Sequence, residues 1–246
     1  MGNEKAMYEE RTYRRTFKPT DLLCYEVRWK ETDLLCCTSA DVKSIIEDRV
    51  LFYRNQLESY ISRKPEFLHS LAPVVSDPLA PAIIKEMIVA SSQVGVGPMA
   101  CVAGAVAEFV GRDVNSLCDE YIIENGGDIC LRTVRERNVV VYAGDSLYSE
   151  KVGIRLQPRE TAYGVCTSSA TVGPSLSLGK ADAVCLVGTS ALFLDGLATM
   201  VGNLLNKESD IDKALEAGRT YPGVSGILVI IGRRLGVWGD LDLIKI

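Results

Sequence analysis

Between Leu23 and Ile61 the apolar residues of this chain change period, and that change limits what the chain can fold into. Leu23, Tyr25, Val27 and Trp29 alternate with Cys24, Glu26, Arg28 and Lys30, the period-two pattern of a half-buried strand. From Val42 onward the apolar residues recur instead at Ile45, Ile46, Val50, Tyr53, Leu57, Tyr60 and Ile61, one stripe of an amphipathic helix. Ser39 reads as its cap, with Asp41 in the first turn, and Pro65 as its stop. Residues 11–38 are therefore expected to give two or three antiparallel strands with a turn at 30–33, and 39–63 a helix.

A similar series of elements follows. Pro73, Pro78 and Pro81 mark a loop. Helices are expected over about 81–92 and 98–112, the second rich in Ala and Gly, whose small side chains let another backbone or a flat ligand come close. Short strands should follow at 120–124, 129–133, 139–142, 152–157, 164–167 and 183–187. A helix to about 205, a short one over 211–217, and strands at 227–231 and 241–246 complete the chain. Hairpins, then paired helices, then hairpins, occurring about twice, predict an α+β fold of antiparallel sheets backed by helices.

Composition narrows the function classes. A chain of 246 residues, 47% hydrophobic and 24% charged, can bury a sizeable core without staples. Its net charge of −5 gives no general attraction to nucleic acid or anionic membranes, so a phosphate-bearing ligand must be met locally. Apolar runs are broken well short of the roughly 20 residues a membrane helix needs, and the first residues do not read as a leader. The expectation is a soluble, cytoplasmic protein, with a homo-oligomer left open. Its eight cysteines form no Cys-x-x-Cys pair and there is one histidine, His69, so most cysteines should be buried small hydrophobes rather than metal ligands. That single His also leaves no Ser-His-Asp or Cys-His set to assemble.

Asp195 and Thr199 lie four residues apart on an expected helix, which puts two oxygen side chains on one face. Magnesium is commonly held by one or two carboxylates plus the phosphates of its ligand, so this pair is a candidate half-site. Gly95-Val96-Gly97-Pro98 reads as a helix N-terminus with free N–H groups for a phosphate. It is not a dinucleotide fingerprint, because a helix rather than a strand precedes it. Asn125-Gly126-Gly127-Asp128 carries the Asn-Gly signal of a tight hairpin, and its second glycine adds freedom for close approach to a ligand. Thr167-Ser168-Ser169 is a hydroxyl-rich strand end suited to phosphate oxygens. Acid–base chemistry would fall to Asp128, Glu108 or Asp195.

In this order, the segment Ala103 to Gly111, the Glu124 to Ile129 segment, Thr167-Ser168-Ser169 and the Asp195 to Thr199 run resemble the motif series of the ApbE-like flavin transferases, over about residues 95–205. The closer resemblance is to the shorter branch of that superfamily, which lacks part of the transferase pattern. The resemblance implies a tandem T-fold-like architecture, with one domain over 1–246 built of two pseudo-repeated halves, about 1–115 and 116–246. It implies Mg²⁺ held by Asp195 and Thr199, with a backbone carbonyl near Ala105 as a third ligand. FAD or a related flavin nucleotide would lie against Gly97, Gly104, Ala105, Asn125, Gly126, Gly127, Thr167, Ser168 and Ser169, with Asp128 and Asp195 in the catalytic roles. The implied activity is transfer of FMN from FAD to a hydroxyl of an acceptor protein. The alternatives are a non-transferring binder of a flavin, pterin or purine-like heterocycle, or a regulatory or structural subunit. Two departures bear on the choice. The transferases' His-Ile-Ile-Asp-Pro-like segment is missing between Ser169 and Asp182, and Glu108 stands where those proteins commonly show Lys. Both weigh more against FAD cleavage than against ligand binding, with Glu108 expected to repel a diphosphate unless metal or Lys180 intervenes.

Overall fold

The computed structural model describes Arg14 and residues 19–172 and 177–246. Its strands are β1 (Leu23–Trp29), β2 (Thr32–Thr38), β3 (Tyr121–Asn125), β4 (Asp128–Thr133), β5 (Arg137–Val140), β6 (Val152–Leu156), β7 (Arg159–Ser168), β8 (Ala183–Gly188), β9 (Val224–Ile231), β10 (Arg234–Gly239) and β11 (Asp242–Lys245). The helices are α1 (Lys43–Arg63), α2 (Glu66–His69), α3 (Ala82–Val94), α4 (Val102–Val114), α5 (Ala191–Asn203) and α6 (Ile211–Arg219). The α+β class expected from the sequence is the class the chain adopts.

Eight strands pair antiparallel in the order β1-β2-β3-β4-β7-β8-β9-β10, and three form a small sheet, β11-β6-β5. Hairpin, helices, hairpin therefore occurs twice, with β4 and β7 pairing where the two series meet. The central strands explain their own composition. On β8, Val184 and Leu186 pack into the core under the helices, while Ala183, Cys185 and Val187 pack against the small sheet. On β9 the same division separates Ile227, Val229 and Ile231 from Leu228 and Ile230. Strands covered on both faces read as continuous apolar runs. On the edge strand β1 only Val27 is buried; Tyr25 is half-buried, while Leu23 and Trp29 at its ends are exposed.

Several boundaries move for identifiable reasons. Helix α1 begins at Lys43, and Ser39 does not cap it: its Oγ accepts the N–H groups of Asp119 and Glu120, tying β2's end to the segment before β3. Asp41 Oδ1 meets the Lys43 N–H instead, at 3.3 Å. The expected helix over 98–112 is a 3₁₀ turn, Pro98–Cys101, followed by α4. Strand β10 was not expected, since Gly236 and Gly239 dilute its apolar pattern. Cys24 and Cys37 face one another across β1 and β2 and are joined as a disulfide, whereas the other six cysteines are buried thiols. Among the described residues no single helix is long and apolar enough to cross a membrane; the apolar pair α3 and α4 is bent by 105° and lies in the core.

Candidate functional site

Most of the predicted site residues gather where the N-terminus of α4, the first half of α5, the β3–β4 turn and the end of β7 meet. The meeting depends on how closely the two helices approach. A Cβ at Gly104 would overlap the carbonyl oxygen of Ala191 and stand 2.9 Å from Cβ of Asp195, so only glycine lets α4 and α5 cross here. With that approach, the Gly104 N–H donates to Asp195 Oδ2 at 2.9 Å. The Ala103 N–H also favours the ionised carboxylate. Asp195 thus meets first-turn N–H groups of α4 that no residue of that helix can satisfy.

Burial outweighs those donors. It pushes the Asp195 carboxyl up to about 7, against the lowering from the Gly104 and Ala103 N–H groups. Among the described residues no cationic side chain forms an ion pair with it. Thr199 lies one turn further along α5, half-buried. A desolvated carboxylate without a cation, beside a hydroxyl on the same helical face, suits a hard divalent ion. Among the described residues no three His, Cys, Asp or Glu side chains are grouped to hold a metal, so such an ion would rely on few protein ligands and on ligand phosphates.

Glu108 is committed elsewhere. Its Oε2 accepts from Ser190 Oγ at 2.7 Å and from the Leu192 N–H at 2.9 Å, and its Oε1 accepts from Arg112 Nη2 at 2.5 Å. Ser190 caps α5 by accepting the Phe193 N–H. A carboxylate at a helix N-terminus is favoured by the helix dipole, so Glu108 anchors α5 and its charge is spoken for. The expected repulsion of a diphosphate by Glu108 loses its premise.

The hairpin tip packs against the N-terminal end of α4. Asn125 and Asp128 are paired across β3 and β4, and Gly126 and Gly127 have φ of 67° and 101°, the left-handed pair that a two-residue type I′ turn requires. Asn125 Nδ2 donates to the Ala103 carbonyl at 3.1 Å, joining the tip to α4. That carbonyl, rather than Ala105's, is the one engaged by the hairpin; Ala105 is fully buried within α4. Asp128 is buried and opposes Cys166 on β7. Burial, then the charges of Asp128 and Asp195, hold the Cys166 thiol well above its usual range, so both candidate carboxylates lie near one buried sulfur.

Thr167 and Ser168 follow Cys166 on β7. The Thr167 carbonyl would be 3.6 Å from a Cβ at Gly127, and Ser168 Oγ 3.6 Å from one at Gly202 on α5, so this strand end runs between tip and helix. Ser169 differs: its Oγ accepts the N–H groups of Thr171 and Val172 at 3.1 and 3.0 Å, a local turn. Gly97 is also placed differently, because a Cβ there would overlap the Ser70 carbonyl oxygen and backbone already fills that space. His69 is exposed on α2. Sequence reasoning missed Ser190, legible as a cap before an apolar run, and the buried Arg14, Asp33 and Glu124 behind the hairpin, for which no local signal exists. A surface cleft of about 680 Å³ lies at the opposite ends of β4 and β7; its Arg132 and Arg159 donate to main-chain carbonyls.

A family model described as AbpE bacteria matches residues 14–237. The chain belongs to that family. A UPF0280 protein of Methanocaldococcus jannaschii is 40% identical over 225 residues, covering 88% of this chain and 91% of that one. A UPF0280 protein of Methanobrevibacter smithii is 39% identical over 205 residues, 81% and 86% of the two chains. Among solved structures, the apo flavinyl transferase ApbE of Pseudomonas stutzeri aligns with a TM-score of 0.59 at 14% identity, covering 88% of this chain and 93% of its own. The ApbE protein of Thermotoga maritima aligns at 0.56 and 11% identity, over 89% and 97%. At such identities the structural likeness shows the fold, which is the tandem ApbE-like architecture. The family is the one the motif order resembles.

Proposed function

We propose that the protein binds a flavin nucleotide, FAD or a relative, with Mg²⁺ at the junction of α4, α5, the β3–β4 turn and the end of β7. The observation that carries this reading is Asp195: a carboxylate held by α4's N–H groups, raised to about 7 by burial, and followed one turn later by Thr199. Asp195 and Thr199 would hold the cation, which when bound neutralises phosphate charge and activates a diphosphate toward attack. The Gly126–Gly127 backbone would approach the ligand, and Thr167 and Ser168 would hydrogen-bond it. Asp128, buried opposite Cys166, would be the base that takes a proton from an attacking hydroxyl.

The reaction open to such a site is transfer of FMN from FAD to a hydroxyl of an acceptor protein, the diphosphate bond breaking and AMP leaving. A second reading, nucleotide binding without transfer, is favoured by a specific observation: the sole histidine, His69, is exposed on α2 and lies far upstream in sequence of the stretch between Ser169 and Asp182. Incubation with FAD, Mg²⁺ and an acceptor peptide, assayed for AMP, separates the two. Binding without AMP supports the second, and no binding at all removes both.

A further inference from the structure

Arg14 reaches a carboxylate 110 positions away in sequence. Its Nε donates to Glu124 Oε2 at 2.6 Å, its Nη1 to Asp33 Oδ1 at 2.9 Å, and its Nη2 to the Asp33 carbonyl at 2.8 Å. All three residues are buried, at 4, 4 and 6% exposure for Arg14, Asp33 and Glu124. The other oxygen of Glu124, Oε1, accepts the N–H of Gly127 at 2.9 Å. One carboxylate thus spans two jobs: one oxygen is gripped by the guanidinium and the other holds the tip of the turn. A buried carboxylate keeps its charge and orientation only with a paired, well-aligned partner, and the fork of an arginine fixes direction as well as charge.

We propose that Arg14 is a positioning residue for the candidate site, setting the Gly126–Gly127 tip through Glu124 so that the turn backbone is ordered before a ligand arrives. The consequence for nucleotide rests on the reading under Proposed function; the hold on the tip does not. Two variants test it by amide hydrogen exchange without ligand and by FAD titration with Mg²⁺. Arg14→Lys keeps the charge and loses the fork. Glu124→Gln keeps an acceptor for Gly127 and presents an amide to Arg14. In both, the Gly127 amide should exchange about tenfold faster relative to core amides such as Val229, and FAD affinity should fall by a similar factor. Parallel acceleration of Gly127 and Val229 would show a role in global stability alone and overturn the proposal, as would a loosened Gly127 with unchanged FAD affinity. If wild-type protein binds no FAD, the functional reading fails and the exchange ratio by itself decides whether Arg14 holds the tip.

Discussion

Replacing Asp195 by Asn isolates the charge at the centre of the account while keeping an oxygen to accept the Gly104 N–H. Burial raises the Asp195 carboxyl from 3.8 to about 7. Between those values the native state holds a proton that the unfolded chain has released, so stability falls as pH rises from about 4 to about 7, and the whole penalty is present above that. At about 1.36 kcal/mol per unit, a difference of about three units sets a ceiling of roughly 4 kcal/mol; partial solvent access at Asp195 brings the working figure to about 2 kcal/mol. Asparagine carries no such penalty. Urea denaturation in EDTA should therefore find Asp195→Asn and wild type equally stable near pH 4, with the variant about 2 kcal/mol more stable at pH 8. Adding Mg²⁺ at ten times its dissociation constant should return about 1.4 kcal/mol to wild type at pH 8 and nothing to the variant. Parallel stability curves for the two proteins from pH 4 to 8 would refute the claim that Asp195 is a desolvated charge awaiting a cation.

Gly104→Ala should cost about 1–3 kcal/mol in urea denaturation by overpacking the α4–α5 crossing, and a variant as stable as wild type would show that the helices can part without loss. Glu108→Gln should cost about 1–2 kcal/mol by weakening the bonds to Arg112 and the N-terminus of α5, with FAD affinity unimproved; tighter FAD binding would restore Glu108 as a charge facing the ligand. Thiol titration of protein denatured without reductant should count six reactive groups, the eight cysteines less the pair Cys24 and Cys37, whereas eight would show that pair reduced.

Much of the fold is legible in the sequence because its periods are enforced by burial. The stripe over Val42–Ile61 records one covered face, whereas the alternation over Leu23–Trp29 marks a strand whose apolar face is covered only at Tyr25 and Val27. The unbroken runs in β8 and β9 record two. What could not be read is what depends on long-range pairing. Ser39 looks like a cap until Asp119 and Glu120 claim its hydroxyl, and β10 exists because β9 offers an edge to its weak pattern. For the site, the spacing of Asp195 and Thr199 and the Asn-Gly-Gly-Asp turn are local signals, and the structure brings both to one place. The roles of Glu108 and Arg14 were hidden because each depends on a partner remote in sequence, Ser190 lying 82 residues from Glu108 and Glu124 110 from Arg14. Gly97 misled because glycine serves ligand approach and backbone packing alike.

The most direct measurement is calorimetric titration of FAD into wild-type protein and Asp195→Ala, each with Mg²⁺ and with EDTA. The account predicts binding by wild type that weakens at least tenfold in EDTA, and no difference between Mg²⁺ and EDTA for Asp195→Ala. Equal affinity for FAD in all four titrations, or none in wild type with Mg²⁺, would contradict it.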